Sequence, residues 1–494
     1  MRNPDRSFAA RAASGLPPSP PHPRPPHCLA GAGDPRLSCS PKPSSGEKID
    51  GAKEEEEFAG GGINRRLSGP CNIQNLSKLP LNEAAKTSVL SSKWRCIWLK
   101  CPRLCFDGLA MFKCKRGELF LYAQQFIAQV DAVTQKHHGE VVEEFHIRFD
   151  FDSIPAHYLD NWVISSLSCK MKNLSLDLRT NYNERYPARY KFPFELLDSR
   201  SLSGLQHVQL NFVSIKPPSK FRGFPNLRKL DLQFLDVTSK DLEIMLSNCI
   251  ILEWLNIHRC HLNDELRVGS PLPRLVYLQV VYCDVTKIQF HAMELATFVY
   301  EGDLVPIALK HSLKLENANI KLDSLNDRHA ISDLVKAFPN LRNLNFHLSW
   351  NDAKTELLPD TPWKFSHLRP APFIEKLEID FWINLLLLDE SHEDHSIRQQ
   401  LGRCEYSNLK NMHITGYKGS REQFEFLIHV VENAPALEVL TLEGAGIEYE
   451  EVAFLMNSAW IDRITLSAKK SALIAQRYLS EKLSSKTQLC IKTT

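Results

Sequence analysis

The sequence predicts an α/β fold: a solenoid of short parallel strands, several of them returning through a helix, preceded by a small helical module. Three observations carry this expectation. A phrase of the form apolar-x-x-apolar-x-apolar recurs along most of the chain. Stretches with one apolar helical face separate several of its copies. Two copies extend into a longer pattern with a cysteine at the same place.

The phrase occurs at Val142/Phe145/Ile147, Met171/Leu174/Leu176, Leu205/Val208/Leu210, Leu227/Leu230/Leu232, Leu252/Leu255/Ile257, Leu275/Leu278/Val280, Leu295/Phe298/Tyr300, Leu341/Leu344/Phe346, Ile374/Leu377/Ile379, Leu409/Met412/Ile414, Leu437/Leu440/Leu442 and Ile461/Ile464/Leu466. The copies starting at Leu205, Leu227, Leu252, Leu275 and Leu295 are 22, 25, 23 and 20 residues apart. That spacing is within the period of about 20–29 residues of leucine-rich repeats. LEWLNIHRCHL from Leu252 and LVYLQVVYCDV from Leu275 complete the pattern L-x-x-L-x-L-x-x-N/C-x-L. Cys260 and Cys283 then fall where the chain leaves the strand, where a small buried side chain can bond turn backbone; their expected role is structural.

Because side chains alternate along a strand, the residues between the apolar ones face away from the core. These are Lys229, Asp231 and Gln233; Trp254, Asn256 and His258; Tyr277, Gln279 and Val281; and further on Asn343, Asn345, His347, Asn411, His413 and Thr415. They form the concave sheet of the expected solenoid, with helices on the convex side. Trp254, Asn256, His258, Tyr277 and Gln279 are the candidate substrate-binding residues. Trp254 and Tyr277 should be cross-strand neighbours, either an interaction hot spot or a plain pair covering the sheet.

Between strands, TSKDLEIMLSNC puts Leu242, Met245, Leu246 and Cys249 on one helical face. ISDLVKAF does the same with Ile331, Leu334 and Phe338. SREQFEFLIHVVENAP offers a capping box (Ser420, Gln423), a stripe of Phe424, Leu427, Ile428 and Val431, and a stop at Pro435. No such unit buries its apolar face alone, and stacking neighbours does.

Composition narrows the function classes. Sixty basic against 58 acidic side chains give a net charge of +2, so no overall field favours nucleic acid or anionic lipid. The apolar run Phe381 to Leu388 is far shorter than the ~20 residues a membrane-spanning helix needs. Thirteen scattered cysteines, an odd number, argue against a disulfide framework and for a reducing compartment, nucleus or cytoplasm. His392, Glu393, Asp394 and His395 (HEDH) lack the helical spacing of a metalloprotease site and read as a solvated loop. No phosphate-binding loop, nucleophile elbow or Cys-x-x-Cys pair occurs, so no metal, cofactor or catalytic residue is expected.

Residues 1–62 are rich in Pro, Ser, Ala and Gly and are expected to be disordered. From Asn82 the character changes: NEAAKTSVLSSKW reads as a short helix, and a second carries Trp94, Ile97 and Trp98 as far as Pro102. This module is too small to bury two tryptophans by itself.

The stretch LPLNEAAKTSVLSSKWRCIWLKCPRLCFD, Leu79 to Asp107, resembles the second half of a plant-type F-box. Leu79-Pro80-Leu81, Ala84-Ala85, Thr87 to Ser91, Lys93-Trp94-Arg95, Trp98 and Pro102 to Asp107 meet that pattern in order. Tyr406 to Gly444, with NLKNMHITGYKG and NAPALEVLTL, is similar to the FBD segment that follows the repeats in such proteins. The chain departs from the family at the F-box opening. Ile63 to Lys78 stands where an L-P-x-x-I helix is usual, and Gly69-Pro70 interrupts any helix there.

The resemblance implies the following organisation: a tail (1–62), an F-box-like module (63–107), a linker and helical cap (108–140), leucine-rich repeats (141–405), FBD-like terminal repeats (406–466) and a C-terminal cap (467–494). It also implies a non-catalytic substrate receptor of a cullin–RING ubiquitin ligase. Its F-box would hold a Skp-type adaptor and its repeats a protein substrate, with no nucleic acid and no membrane involved. Carried over residue by residue, the adaptor-binding set is Leu79, Pro80, Leu81, Ala85, Val89, Leu90, Ser91 and Trp94, whose apolar members could equally pack inside the module. Trp98 and Leu104 would tie the module to the first repeat. The alternative is a repeat-domain interaction scaffold that has lost adaptor binding.

Overall fold

The computed structural model describes residues 101–492 apart from 138–141, 169–170, 180–188, 198–201, 263, 323–337, 351–372, 384–404, 418, 420, 445–469 and 471. The proline-rich tail, residues 63–100 with all eight adaptor-binding candidates and Trp98, the Ile461 copy of the repeat phrase, the helix expected from Ile331 and the HEDH loop lie outside the described residues.

Short apolar phrases at near-constant spacing stack as strands, and here they stack in chain order. Fourteen parallel strands form one sheet among the described residues. They are β1 (Arg103–Asp107), β2 (Glu144–Arg148), β3 (Asn173–Asp177), β4 (His207–Asn211), β5 (Lys229–Gln233), β6 (Trp254–His258) and β7 (Tyr277–Val281). The second seven are β8 (Thr297–Gly302), β9 (Asn317–Leu322), β10 (Asn343–Trp350), β11 (Lys376–Ile383), β12 (Asn411–Tyr417), β13 (Val439–Gly444) and β14 (Gln488–Lys492). Register is kept between neighbours, so like positions form rows. Leu104, Phe145, Leu174, Val208, Leu230, Leu255 and Leu278 make one buried row, and Phe106, Ile147, Leu176, Leu210, Leu232, Ile257 and Val280 the next. Slipping any strand by one residue would turn its apolar pair out to solvent.

A repeated turn reinforces this register. The residue after the strand takes a positive φ in four successive repeats: Phe212 (65°), Phe234 (51°), Arg259 (49°) and Tyr282 (49°). Left-handed backbone costs a non-glycine residue about 1–2 kcal/mol. An extra rung offsets it: these N–H groups donate to carbonyls at the end of the next strand, those of Gln233, His258, Val281 and Glu301, at 2.9, 2.8, 2.8 and 2.6 Å respectively.

Three strands have no copy of the repeat phrase as read above. β1 has Cys101, Leu104 and Phe106, with a cysteine in place of the leading leucine. β9 has Leu315, Ala318 and Ile320, with an alanine at the middle position. β14 retains only Leu489 and Ile491. Among the described residues the first strand of the solenoid sheet is therefore Arg103–Asp107, within the segment assigned to the F-box-like module. Leu104 is a core residue of the first strand. The segment 108–140, read as linker and cap, contributes helix α1 (Ala123–Lys136), which buries Phe126, Ile127 and Val130.

Helices α2 (Ala156–Leu167), α3 (Ser239–Leu246) and α4 (Arg421–Asn433) follow three other strands. In α3 the Thr238 hydroxyl caps the Asp241 N–H at 3.1 Å, and Leu242, Met245, Leu246 and Cys249 are buried as expected. In α4 the buried face is centred on Phe426, Leu427, Ile428 and Val430, while Phe424 and Val431 are only partly covered. Phe424 meets Tyr478, ring centroids 5.4 Å apart, at the edge of this face. Between β6 and β9 the repeats are too short for a helix. A second, three-stranded parallel sheet replaces it, made of Asp264–Arg267, Val285–His291 and Ile307–Lys310. Its Leu266, Ile288 and Phe290 enter the common core.

Candidate protein-interaction face

The sheet face opposite the core carries three rows of side chains, and all five candidate substrate-binding residues lie on it. Lys229, Trp254 and Tyr277 are paired across β5, β6 and β7 in the first row. Trp254 and Tyr277 stack with centroids 5.3 Å apart and planes 6° from parallel. Lys229 Nζ sits 4.1 Å from the Trp254 centroid. Since β5 and β7 flank β6, the indole is sandwiched, with its edge outward. The Tyr277 hydroxyl donates to Gln279 Oε1 at 2.8 Å, tying the first row to the second.

The second row is centred on Asp231, 9% exposed and the most buried carboxylate of these strands. It accepts from Asn256 Nδ2 at 2.8 Å and from Gln233 Nε2 at 3.1 Å. Charge-assisted bonds of this kind hold both amides in place. In the third row Val281, expected to be outward and accessible, is 3% exposed; the outward side of a strand is not open wherever neighbouring side chains close over it. His258 meets Phe234 edge-on at 5.5 Å and faces Tyr282 at 6.5 Å. Burial, then the positive charge of Arg259, holds the His258 pKa below its ordinary value. The Arg259 guanidinium lies 5.7 Å from the Phe234 ring and 5.2 Å from that of Tyr282. The left-handed turns thus carry three aromatic side chains, Phe212, Phe234 and Tyr282, and one cationic one, Arg259, along one rim, a feature absent from the residues singled out in sequence.

At the β1 end the face is ionic. Asp177 accepts from Arg116 at 3.1 Å and Arg179 at 3.2 Å and pairs with Arg148 at 3.3 Å. Burial works to raise the Asp177 pKa, but hydrogen bonds and charge from Arg179 and Arg116 outweigh it and hold the carboxyl below its ordinary value. Asp107 caps the Leu109 N–H at 2.9 Å and pairs with Arg148 at 3.3 Å. The Pro102 to Asp107 part of the F-box-like pattern thus serves the first strand and its exit. Towards β14 the face carries His347–Asp380 at 2.5 Å and His413–Glu443 at 3.2 Å.

Cys260 and Cys283 stand where the longer repeat pattern placed them. Cys260 Sγ lies 3.6 Å from Leu232 O and 3.5 Å from His258 O, and Cys283 Sγ 3.4 Å from Ile257 O. Among the described residues no three His, Cys, Asp or Glu side chains gather as a metal site, and no helix is long and apolar enough to cross a membrane. What the face offers is hydrogen bonding, aromatic edges and paired charge over a long, shallow surface.

The sequence is similar to those of known proteins. A family model described as the At1g61320/AtMIF1 LRR domain matches residues 133–371 and 364–494. An F-box/FBD/LRR-repeat protein of Arabidopsis thaliana is 25% identical over 504 residues, spanning 90% of this chain and 100% of the relative. A second F-box/FBD/LRR-repeat protein of that plant is 22% identical over 411 residues, 75% of this chain and 90% of the relative. A putative F-box/LRR-repeat protein, also from Arabidopsis thaliana, is 29% identical over 182 residues, 37% of this chain and 34% of its own length.

Proposed function

The chain belongs to the plant F-box/LRR-repeat proteins, and from that premise we propose that it is the substrate-recognition subunit of an SCF-type cullin–RING ubiquitin ligase. The observation that carries the reading is the junction at Pro102 to Asp107. An F-box-like sequence runs without a break into the first strand of a fourteen-strand sheet whose outer face is polar, aromatic and continuous. In this reading Leu79, Pro80, Leu81, Ala85, Val89, Leu90, Ser91 and Trp94 hold a Skp-type adaptor. The sheet face, with Trp254, Asn256, His258, Tyr277 and Gln279 near its middle, holds a protein substrate.

The chain itself carries out no chemical step. Its contribution is to turn an encounter between substrate lysine and charged E2 enzyme into a local event, an effect that reaches about 7–11 kcal/mol when geometry is ideal. Adaptor capture tests the reading: the intact protein should retain a purified Skp-type adaptor, and Leu90→Asp or Trp94→Ala should release it. No adaptor retained by the intact protein would refute it. That outcome would favour the second reading, a repeat scaffold without adaptor binding, which the divergent segment Ile63 to Lys78 with Gly69-Pro70 supports.

A further inference from the structure

The turns that feed the strands leave apolar side chains in solvent. In five successive repeats the chain enters its strand through a tight turn, the N–H of Leu227, Leu252, Leu275, Leu295 and Leu315 each donating to the carbonyl three residues earlier at 3.1–3.4 Å. Proline suits the first inner corner of such a turn, and Pro225 and Pro273 occupy it. Ile250, Met293 and Leu313 take the same corner in the other three repeats and are 54–70% exposed. No turn needs a large apolar side chain there, so these three are not explained by the fold.

A row of charges breaks at the same place. The residues that follow the leading leucines lie side by side, Glu253 N–H donating to Arg228 O, Val276 to Glu253, Ala296 to Val276, Glu316 to Ala296 and Arg342 to Glu316. Arg228 pairs with Glu253 at 2.6 Å and Arg342 with Glu316 at 3.6 Å, all four side chains staying about half exposed. Between the two ion pairs stand Val276, 45% exposed, and the partly exposed Ala296. Ile250, Val276, Met293 and Leu313 thus make an apolar patch across four neighbouring repeats, bounded on both sides by charge. Contiguous exposed apolar surface with a polar border marks an association site.

We propose that a second copy of the chain docks on this patch, its row antiparallel to the first about a two-fold axis at Val276. A two-fold interface must complement itself, and this register does so. Against the second copy Val276 meets Val276, Ile250 meets Met293, Pro225 meets Leu313 and Arg228 meets Glu316, apolar on apolar and basic on acidic. Because both rows share one spacing of about 4.8 Å per strand, the match continues outward: Lys172 meets Glu375 and Glu143 meets Lys410, again of opposite sign. Shifting the axis to a point between Val276 and Ala296 would set Glu253 on Glu316 and Arg228 on Arg342, and shifting it onto Ala296 would lay Val276 against the Glu316 carboxylate. Arg274, in the turn before Leu275, meets its own copy but lies one rung from Glu294 of that copy. An unrelated protein could cover the apolar residues, but a sign pattern that complements itself over this length is what a second copy requires.

Sedimentation velocity of the intact protein over a concentration series tests the interface. The parent should show a concentration-dependent species of twice the chain's mass. Arg228→Glu and Glu316→Arg each put two like-charge contacts into every dimer and should weaken association about tenfold or more; Met293→Asp should do the same through the patch. All three residues are exposed, so circular dichroism spectra should match the parent. An equimolar mixture of R228E and E316R should regain the dimer, because both contacts about the axis then join opposite charges again. A parent that stays monomeric at every concentration, a dimer insensitive to these substitutions, or a mixture that associates no better than its components would each overturn the proposal.

Discussion

Trp254 and Tyr277 stack almost parallel, 5.3 Å between centroids, because consecutive repeats place them at the same position of neighbouring strands. Lys229 adds its ammonium 4.1 Å from the indole centroid. Such a stack contributes about 0.5–1.5 kcal/mol beyond burial, and an exposed cation–π contact about 0.5–1 kcal/mol. Trp254→Ala should therefore lower unfolding free energy by about 1–2 kcal/mol, and Trp254→Phe by clearly less. Urea denaturation measures both; equal stability of the Ala variant and the parent would show the stack to be energetically idle.

Three histidines on the same face respond to pH in one direction. Burial holds His146, His207 and His258 below their ordinary value of 6.5. Lys229 and Arg228 add to this at His207, and Arg259 at His258, while Asp107, Glu144 and Asp177 oppose it at His146. A group held neutral in the fold binds fewer protons folded than unfolded. Their contribution is therefore complete above pH 6.5 and is lost as pH falls through the lowered folded values. Stability measured by denaturant at successive pH values should fall between neutrality and about pH 5, and His258→Gln should flatten part of that slope. A profile identical in parent and variant would contradict the assignment.

Leu230, Leu255 and Leu278 are legible in the sequence because a strand that buries one face leaves a two-residue alternation, and stacking repeats it at nearly constant spacing. The Trp254–Tyr277 neighbourhood follows from the same spacing. β9 escapes the pattern because Ala318 takes a position filled elsewhere by the larger Leu, Phe, Val or Met, and Asn317 and Asn319 are hidden with it. The rim of Phe212, Phe234, Arg259 and Tyr282 is not legible, since none of these residues favours left-handed backbone. The inter-strand hydrogen bond holding each one there belongs to the assembled solenoid and not to its local sequence. The three-stranded second sheet is hidden for a related reason: Asp264–Arg267 has one buried apolar residue, Leu266, and no alternation to detect.

Gly108 sits where β1 hands over to the first helical turn, and a Cβ there would lie 2.5 Å from Phe149 Cδ2 and 2.9 Å from Leu119 Cδ2. Phe149 cannot withdraw, because it is fully buried and stacked on Phe126 at 4.1 Å. Overpacking of this kind costs about 1–3 kcal/mol. Gly108→Ala should lower the melting temperature measurably, and the loss should shrink in the double variant Gly108→Ala/Phe149→Leu, where the ring is removed. A single variant as stable as the parent would show that the junction can shift to admit the methyl group.

Alkylation would test the cysteines as structural groups. Cys260 is sealed in the core with its thiol against two carbonyl oxygens, and burial pushes its pKa well up. Burial likewise raises Cys249 to about 11, and burial with the nearby Glu144 carboxylate raises Cys105 to about 11. The thiolate is the reactive form, so all three should resist iodoacetamide at pH 8 in the folded protein and react fully in denaturant. Cys490, half-exposed at the end strand, supplies the internal contrast and should react before these three. Peptide mass spectrometry over a time course resolves each site. Fast native-state labelling of Cys260 would mean that the Leu232–Cys260 turn opens locally, and the structural role assigned to this cysteine would fall.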